Sequence, residues 1–284
     1  MDTNAPIGIF DSGLGGLTVA RELARALPHE SFIYVGDTAR CPYGPRDLEE
    51  VRRYVRQICT FLQDRGVKLI IIACNTATAA GLSLAQREFN VPVIGVIEPG
   101  ARAAVRATRN RRVGIIGTVG TIESDVYSKA IRTLDAGTTV YSVATPPFVD
   151  MVEDGLALNG DYHDVYVPPR FYEIARDYLD ALRKNEVDTL VLGCTHYPLL
   201  QNPIHQVMGT DVVLVSSAEE TARDVLSTLT RRGNVAWEGS IPHYEFFTTG
   251  DPDRFEALGS KVFGATLEHL ELLELATLES LVEE

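Results

Sequence analysis

The chain has 284 residues, 45% of them apolar and 23% charged, and its 26 Lys and Arg against 39 Asp and Glu give a formal net charge of −13. This composition excludes a disordered chain and a small disulfide scaffold, and neither a secretory signal nor the ~18 apolar residues that cross a bilayer are found, so a cytoplasmic protein without membrane contact is expected. An acidic chain repels phosphate backbones, so no nucleic-acid partner is expected, although residues 109–112 (RNRR) form one basic cluster.

Short β-rich runs alternate with segments of helical periodicity along the chain, a pattern typical of βαβ units and a parallel sheet. The first half predicts strands at 7–10, 31–35, 68–73 and 91–96, and helices at 17–27 and 47–65. The second half predicts strands at 112–116, 188–192 and 212–215. In the acidic tail, leucines at helical spacing over 267–281 predict a C-terminal helix.

Two pairs of segments share the same order of residue types. KLIIIACNTAT (68–78) and DTLVLGCTHYP (188–198) both place a cysteine and polar residues after an apolar strand, and IGIFDSG (7–13) is similar to VGIIGTVG (113–120). We therefore expect an α/β fold of two similar lobes, each a mainly parallel sheet flanked by helices. Because open α/β sheets bind ligands beyond the carboxyl ends of their strands, an active site between the lobes would lie between two thiols.

Cys74 and Cys194 are the candidates for catalysis. Each follows an apolar strand and precedes a predicted helix, whose N-terminus favours the thiolate form. Two opposed thiols could transfer protons on both faces of one carbon, as an amino-acid racemase requires. A dithiol redox pair and a zinc site stay open as alternatives, although C-x-x-C spacing is absent and one His beside two Cys leaves a zinc ligand unassigned. Cys41 and Cys59 are interpreted as structural or incidental.

Polar residues at the same strand ends could assist the two thiols. Asp11 and His196 could tune or accept the thiol protons, one on each side, or could be a turn residue and a structural histidine. The hydroxyl and amide side chains there could hold the carboxylates and ammonium group of an amino acid, or could be helix caps. These side chains are Ser12, Asn75, Thr76 and Thr195.

No cofactor and no metal are expected. The glycines of DSGLGG do not match the dinucleotide-binding pattern G-x-G-x-x-G. A pyridoxal-phosphate enzyme needs a lysine for its Schiff base, and no lysine lies in an evident active-site motif. The lysines considered are Lys68, Lys129, Lys184 and Lys261.

Five ordered segments resemble the cofactor-independent aspartate/glutamate racemase family, and within it the glutamate racemases. They are FDSGLGGLTV (10–19), GDTARCPYG (36–44), ACNTATA (73–79), GVIEPG (95–100) and LGCTHYPLL (192–200). The resemblance covers about residues 7–226. It implies interconversion of L- and D-glutamate by two-base proton transfer at Cα, supplying D-glutamate for peptidoglycan synthesis, and a homodimer. An aspartate or related two-thiol racemase is the nearest alternative.

The resemblance also implies roles for individual residues. Cys74 and Cys194 would be the acid/base pair, assisted by Asp11, His196 and Glu153. Glu153 lies in ATPPFVDMVEDG, which lacks the cysteine that the family usually has before this glutamate. The implied substrate contacts are Asp11, Ser12, Tyr43, Gly44, Asn75, Thr76, Thr118, Thr121, Thr195 and His196.

The family fold implies a chain that returns to its first lobe. On this basis residues 1–97 and 212–284 would form one domain and residues 98–211 the other.

Overall fold

The structure is a computed structural model that describes residues 3–153 and 167–282, without the side chain of Glu153. Its strands are β1 (Ile7–Asp11), β2 (Phe32–Gly36), β3 (Leu69–Ile72), β4 (Val93–Gly95), β5 (Arg112–Gly117), β6 (Thr139–Ala144), β7 (Thr189–Gly193), β8 (Val213–Val215), β9 (Tyr244–Thr248) and β10 (Leu270–Leu272). Its α-helices are α1 (Leu17–Ala26), α2 (Leu48–Asp64), α3 (Asn75–Glu88), α4 (Ile97–Ala107), α5 (Val119–Glu123), α6 (Val126–Leu134), α7 (Pro146–Glu153), α8 (Pro169–Lys184), α9 (Gln201–Met208), α10 (Ala218–Arg232), α11 (Pro252–Phe263) and α12 (Leu275–Ser280). Short 3₁₀ helices span Thr38–Arg40 and Tyr197–Leu200.

The strands form two sheets in which every pairing is parallel. The first has the order β10-β9-β2-β1-β3-β4 and the second β6-β5-β7-β8. The expected α/β fold with two lobes is therefore confirmed. Four strands of each lobe share one order, second, first, third, fourth, so that β1 corresponds to β5 and β3 to β7. The segments matched by sequence thus occupy corresponding places in the two sheets.

Helices cover both faces of the central strands, which explains why those strands are apolar along their whole length. In the first lobe α1, α10 and α11 pack on one face, and α2 and α3 pack on the other. The predicted second helix is confirmed as α2, where Asp47 accepts a hydrogen bond from the Glu49 N–H at 2.7 Å and caps the helix. The inward face of α2 presents Val51, Val55 and Ile58 to the core.

The strand β8 follows directly on residue 212, where the predicted first domain resumes. Val213–Val215 is a short apolar run that pairs with β7 and forms the edge strand of the second sheet. Only then does α10 pack against α1, and β9 and β10 extend the first sheet beyond β2. The division of the chain into two domains stays a prediction.

The prediction of one helix over 267–281 is wrong. Leu270–Leu272 forms β10 and pairs with β9, with Leu270 opposite Phe246, and only Leu275–Ser280 is helical. The exposed edge of β9 offers backbone hydrogen bonds that outweigh the helical preference of a leucine-rich and glutamate-rich segment.

The basic cluster at 109–112 carries its own acidic partners. Arg111 pairs with Asp135 at 3.3 Å and Arg112 with Glu186 at 2.7 Å. The Asp188 carboxylate accepts the backbone N–H groups of residues 109 and 110, each at 2.7 Å, and so sets the shape of the loop. Within residues 3–153 and 167–282, no helix is long and apolar enough to cross a membrane.

Candidate active site

Residues at the end of β1 and in the loop after β2 meet the residues that follow β5 and β7 at the contact between the lobes. The Thr195 hydroxyl donates to Asp11 Oδ2 at 3.1 Å, and the Gly120 N–H donates to the Gly44 carbonyl at 3.0 Å. A Cβ added at Gly15 would lie only 2.4 Å from Thr195 Oγ1, so glycine permits this close approach. The predicted location between the two lobes is therefore where these side chains converge.

Cys74 lies at the N-terminus of α3, where its Sγ accepts the Ala77 N–H at 3.4 Å. The thiol donates to Ser12 Oγ at 3.8 Å and is 95% buried, with 5% of the residue exposed. Burial, together with the charge of Asp11, raises the pKa of this thiol to about 12, although the Ala77 N–H opposes the rise. Burial of the Cys74 thiol therefore outweighs the helix N-terminus, which alone would favour the thiolate.

Cys194 follows β7 in a different local setting. Its Sγ lies 3.6 Å from His196 Nδ1, and its carbonyl accepts the Tyr197 N–H at 3.1 Å. Cys194 is followed by a 3₁₀ helix, Tyr197–Leu200, and only then by α9. It therefore does not lie at the start of an α-helix, contrary to the expectation from the sequence. The two thiols therefore occupy corresponding strand ends but have different partners, a backbone N–H and a serine for one and an imidazole for the other.

The Asp11 carboxylate lies between these two settings. It is completely buried, and it accepts the Gly13 N–H at 3.0 Å and the Thr195 hydroxyl at 3.1 Å. Burial raises the pKa of Asp11, while the positive charge of His196 and the hydrogen bonds that Asp11 accepts oppose the rise. Asp11 is thus linked to Cys74 by its charge and to His196 on the Cys194 side.

Hydroxyl and amide groups form a second cluster across the lobe contact. Thr76 Oγ1 lies 2.8 Å from Thr118 Oγ1 and 3.3 Å from Thr121 Oγ1, and all three are buried. Asn75 Oδ1 accepts the Tyr127 hydroxyl at 2.7 Å. The Asn75 Nδ2 group is buried and has no hydrogen-bond partner among the described residues. An amide donor in this state is suited to a ligand carboxylate.

Tyr43, the residue before Gly44, is held by a buried ionic group. The Tyr43 hydroxyl donates to the Asp37 carboxylate, which also accepts Arg40 Nε at 2.7 Å and the Thr249 hydroxyl at 2.8 Å. Burial and the charge of Asp37 hold the pKa of Tyr43 well above its usual range. The Tyr43 hydroxyl therefore keeps its proton and donates it in the hydrogen bond to Asp37.

A family model described as Asp/Glu/Hydantoin racemase matches residues 7–225. The chain belongs to this racemase family. The glutamate racemase of Exiguobacterium sibiricum is 49% identical over 257 residues, 90% of this chain and 92% of the relative. The crystal structure of a Bacillus anthracis glutamate racemase isoform has a TM-score of 0.89 and 42% identity, covering 96% of this chain and 98% of that one. That of Francisella tularensis glutamate racemase with D-glutamate has a TM-score of 0.87 and 34% identity, covering 96% and 98%.

This membership confirms the family identified from the five segments. In this racemase-family chain the structure brings all but one of the predicted site residues to the lobe contact. The exception is Glu153, which ends α7 and whose side chain lies outside the described residues, so its role stays a prediction. Cys59 lies on the buried face of α2, and Cys41 is half-buried in the loop before Tyr43.

Sequence reasoning missed three residues that contact the candidate site residues, namely Asp37, Arg40 and Tyr127. A usable signal existed for the first two, because an acid and a base three positions apart in a loop predicted to be functional can form a buried pair. No local signal marks Tyr127, whose partner Asn75 is 52 positions away. Among the described residues, no cluster of three or more His, Cys, Asp or Glu could hold a metal ion.

Proposed function

We propose that this chain interconverts L- and D-glutamate by cofactor-independent proton transfer at Cα, with Cys74 and Cys194 as the two bases. The observation that carries the proposal is the pair of buried thiols at the corresponding ends of β3 and β7, at a lobe contact bridged by the Thr195–Asp11 hydrogen bond of 3.1 Å. The names of the similar relatives support glutamate as the substrate.

The reaction conserves protons between the two thiols. One thiolate takes the Cα proton, which breaks the Cα–H bond and leaves the electron pair on Cα. The opposite thiol then delivers its proton to the other face, so the first cysteine ends as a thiol and the second as a thiolate. Because a base for one enantiomer is the acid for the other, the same pair works in both directions.

Asp11 and His196 reset the protonation of the thiols. Before substrate binds, Cys74 is a neutral thiol, since burial and Asp11 hold its pKa at about 12. The ammonium group of a bound amino acid would favour the thiolate, because an opposite charge lowers a thiol pKa. On the other side His196, 3.6 Å from Cys194, accepts or returns a proton. Glu153 is assigned an assisting role by family resemblance.

The polar cluster holds the two carboxylates of the substrate. Asn75 offers its buried Nδ2, and the hydroxyls of Ser12, Thr76, Thr118, Thr121 and Thr195 offer further hydrogen bonds. Tyr43 and Gly44 contribute backbone groups, since the Tyr43 hydroxyl proton is bound to Asp37.

We further propose that the D-glutamate supplies peptidoglycan synthesis and that the protein acts in the cytoplasm as a homodimer. Light scattering of the eluted peak in size-exclusion chromatography tests the dimer, and cell fractionation tests the location. A monomeric mass across the working concentrations contradicts the dimer.

The decisive test follows purified protein with L-glutamate in deuterated water, by optical rotation and by loss of the Cα proton signal. Rotation should fall towards zero while deuterium enters Cα. Cys74→Ala and Cys194→Ala should each abolish racemisation and remain folded by circular dichroism. Cys59→Ser is the matched control, a buried cysteine outside the site, and should retain turnover while losing stability.

Three results would contradict the proposal. Full racemisation in either active-site variant would exclude the two-thiol mechanism. Exchange with aspartate alone would make the chain an aspartate racemase. Inactivity on both substrates, with zinc bound or a reversible Cys74–Cys194 disulfide, would favour the metal or redox alternative.

A further inference from the structure

Tyr127 contacts the segments that carry both thiols, yet it has no part in the proton transfers above. It lies in α6 of the second lobe and is 2% exposed. Its hydroxyl donates to Oδ1 of Asn75 at 2.7 Å, and Asn75 is the residue immediately after Cys74. Gly193 is the residue immediately before Cys194, and a Cβ added to it would lie 3.3 Å from Tyr127 Cε2. One side chain therefore packs against both thiol-bearing strand ends.

The Tyr127 hydroxyl stays protonated. Burial, with the charge of Cys194 as a further cause, raises the pKa of Tyr127 above its usual range. A phenol that keeps its proton continues to donate to the acceptor it faces, the oxygen of the Asn75 amide. The amide is planar, so fixing Oδ1 also fixes Nδ2 on the opposite side.

Asn75 Nδ2 is the donor left over by this arrangement. It is buried, and no described residue accepts its hydrogen bonds. Buried donors without partners are rare because they lose hydration without compensation, so a ligand acceptor is the natural partner. An amide rotated by 180° would present Oδ1 instead and would repel a carboxylate.

We propose that Tyr127 is a positioning residue, which holds the Asn75 amide across the lobe contact so that Nδ2 faces a substrate carboxylate. This inference rests on the proposed function, because it explains how one hydrogen bond to the glutamate substrate is oriented. It adds a residue from the second lobe to a binding group carried by the first.

Tyr127→Phe removes the hydroxyl and keeps the ring that packs against Gly193. KM should rise about tenfold for both enantiomers, equivalent to about 1.4 kcal/mol, while kcat stays within about threefold. Tyr141→Phe is the matched control, a partly buried tyrosine on β6 of the same lobe, and should leave both constants unchanged. Thermal unfolding of both variants reports any loss of structure.

An unchanged KM in folded Tyr127→Phe overturns the proposal, and so does a fall in kcat alone. A wild-type protein inactive on glutamate contradicts the proposed function instead, before any variant is compared. The two failures are therefore distinguishable.

Asn75→Asp tests the orientation without altering Tyr127. The carboxylate still accepts the Tyr127 hydroxyl, but it replaces the donor that faces the substrate with an acceptor. KM should rise more than about tenfold if Nδ2 faces the substrate, since a buried donor is lost and like charges are opposed. A KM close to wild type would show that the oxygen faces the substrate and would overturn the proposal.

A double-mutant cycle tests whether Tyr127 acts through Asn75. In an Asn75→Ala background, Tyr127→Phe should change kcat/KM by less than about twofold, because the group that it positions is gone. Independent effects that multiply in the double variant would overturn the proposal, since they would mean that Tyr127 acts by another route.

Discussion

Cys74 is predicted to be an unreactive thiol until a substrate binds. Burial and the charge of Asp11 raise its pKa to about 12, whereas a free cysteine has a pKa of about 8.5. A higher pKa favours the neutral thiol, so at pH 8 the thiolate fraction falls by roughly a thousandfold or more. Iodoacetamide should therefore modify Cys74 in the folded protein without added substrate far more slowly than in urea, as measured by mass spectrometry of the Cys74 peptide. Similar rates in the two conditions would contradict the prediction.

At the same scale, the sequence predicts those site residues that stand at strand ends. Asp11, Cys74 and Cys194 follow apolar runs, and the carboxyl ends of parallel strands meet at one edge of a sheet. The partners of these residues are not predictable in this way. Tyr127 reaches Asn75 across the two lobes, and such a contact depends on how the lobes pack, which leaves no local pattern in the sequence.

The loop between β2 and α2 depends on a buried ionic group rather than on regular hydrogen bonding. Asp37 accepts side-chain hydrogen bonds from Arg40, Tyr43 and Thr249, and so ties the loop to the end of β9. The Arg40 guanidinium also stacks on the Tyr54 ring of α2, 3.9 Å from its centroid. The backbone next to the proposed substrate is thereby fixed from three directions.

Asp37→Asn should destabilise the protein and weaken substrate binding together. The variant keeps the shape of the side chain but leaves the buried Arg40 cation without its anion, at a cost on the order of 3 kcal/mol. Urea unfolding measures the free energy, and steady-state kinetics measure KM, which should rise as the Tyr43 loop loosens. Asp180→Asn is the control, since its pair with Lys184 is exposed and should cost less than about 1 kcal/mol. Equal stability of the two variants would contradict this account.

At the scale of elements, the sequence predicts those whose residues are buried as a continuous run. The run at 68–73 becomes β3, in which all four residues are buried, and 188–192 becomes β7. The edge strand β6 was not predicted, because none of its residues is fully buried and its apolar signal is weak. The leucine spacing predicts a helix where β10 lies, because these three residues form a strand only by pairing with β9. Whether a segment forms an edge strand depends on pairing with a strand that is distant in the chain.

The whole molecule is built from two sheets with the same order of four strands. In each, the first and third strands lie side by side in the centre, with the second strand beyond the first and the fourth beyond the third. The ends of the central strands mark the point where the strand order reverses, which is where α/β sheets bind ligands. Two such points opposite one another place a thiol from each lobe at the proposed proton-transfer site, so we expect the activity to depend on the separation of the lobes.

Gly44→Ala tests that dependence, because the two backbones approach closely at this residue. An added Cβ would lie 2.7 Å from Thr118 Cβ, and Thr118 belongs to the opposite lobe. Such a clash cannot be relieved by a side-chain rotation, so the lobes must move apart at the site. We expect kcat/KM to fall by at least about tenfold, since small errors in the placement of reacting groups have large effects on rate.

The loss should be one of activity rather than of folding. Each lobe keeps its own core, so the midpoint of thermal unfolding should shift by only about 5 °C or less. Gly137→Ala is the matched control, because its added Cβ would meet only the ends of two side chains, the Arg111 guanidinium at 3.1 Å and Asp135 Oδ1 at 3.2 Å, which can move aside. This variant should keep wild-type kinetics. If Gly44→Ala also retained full activity, the rate would not depend on the separation of the lobes, and the two thiols would have to tolerate movement relative to each other.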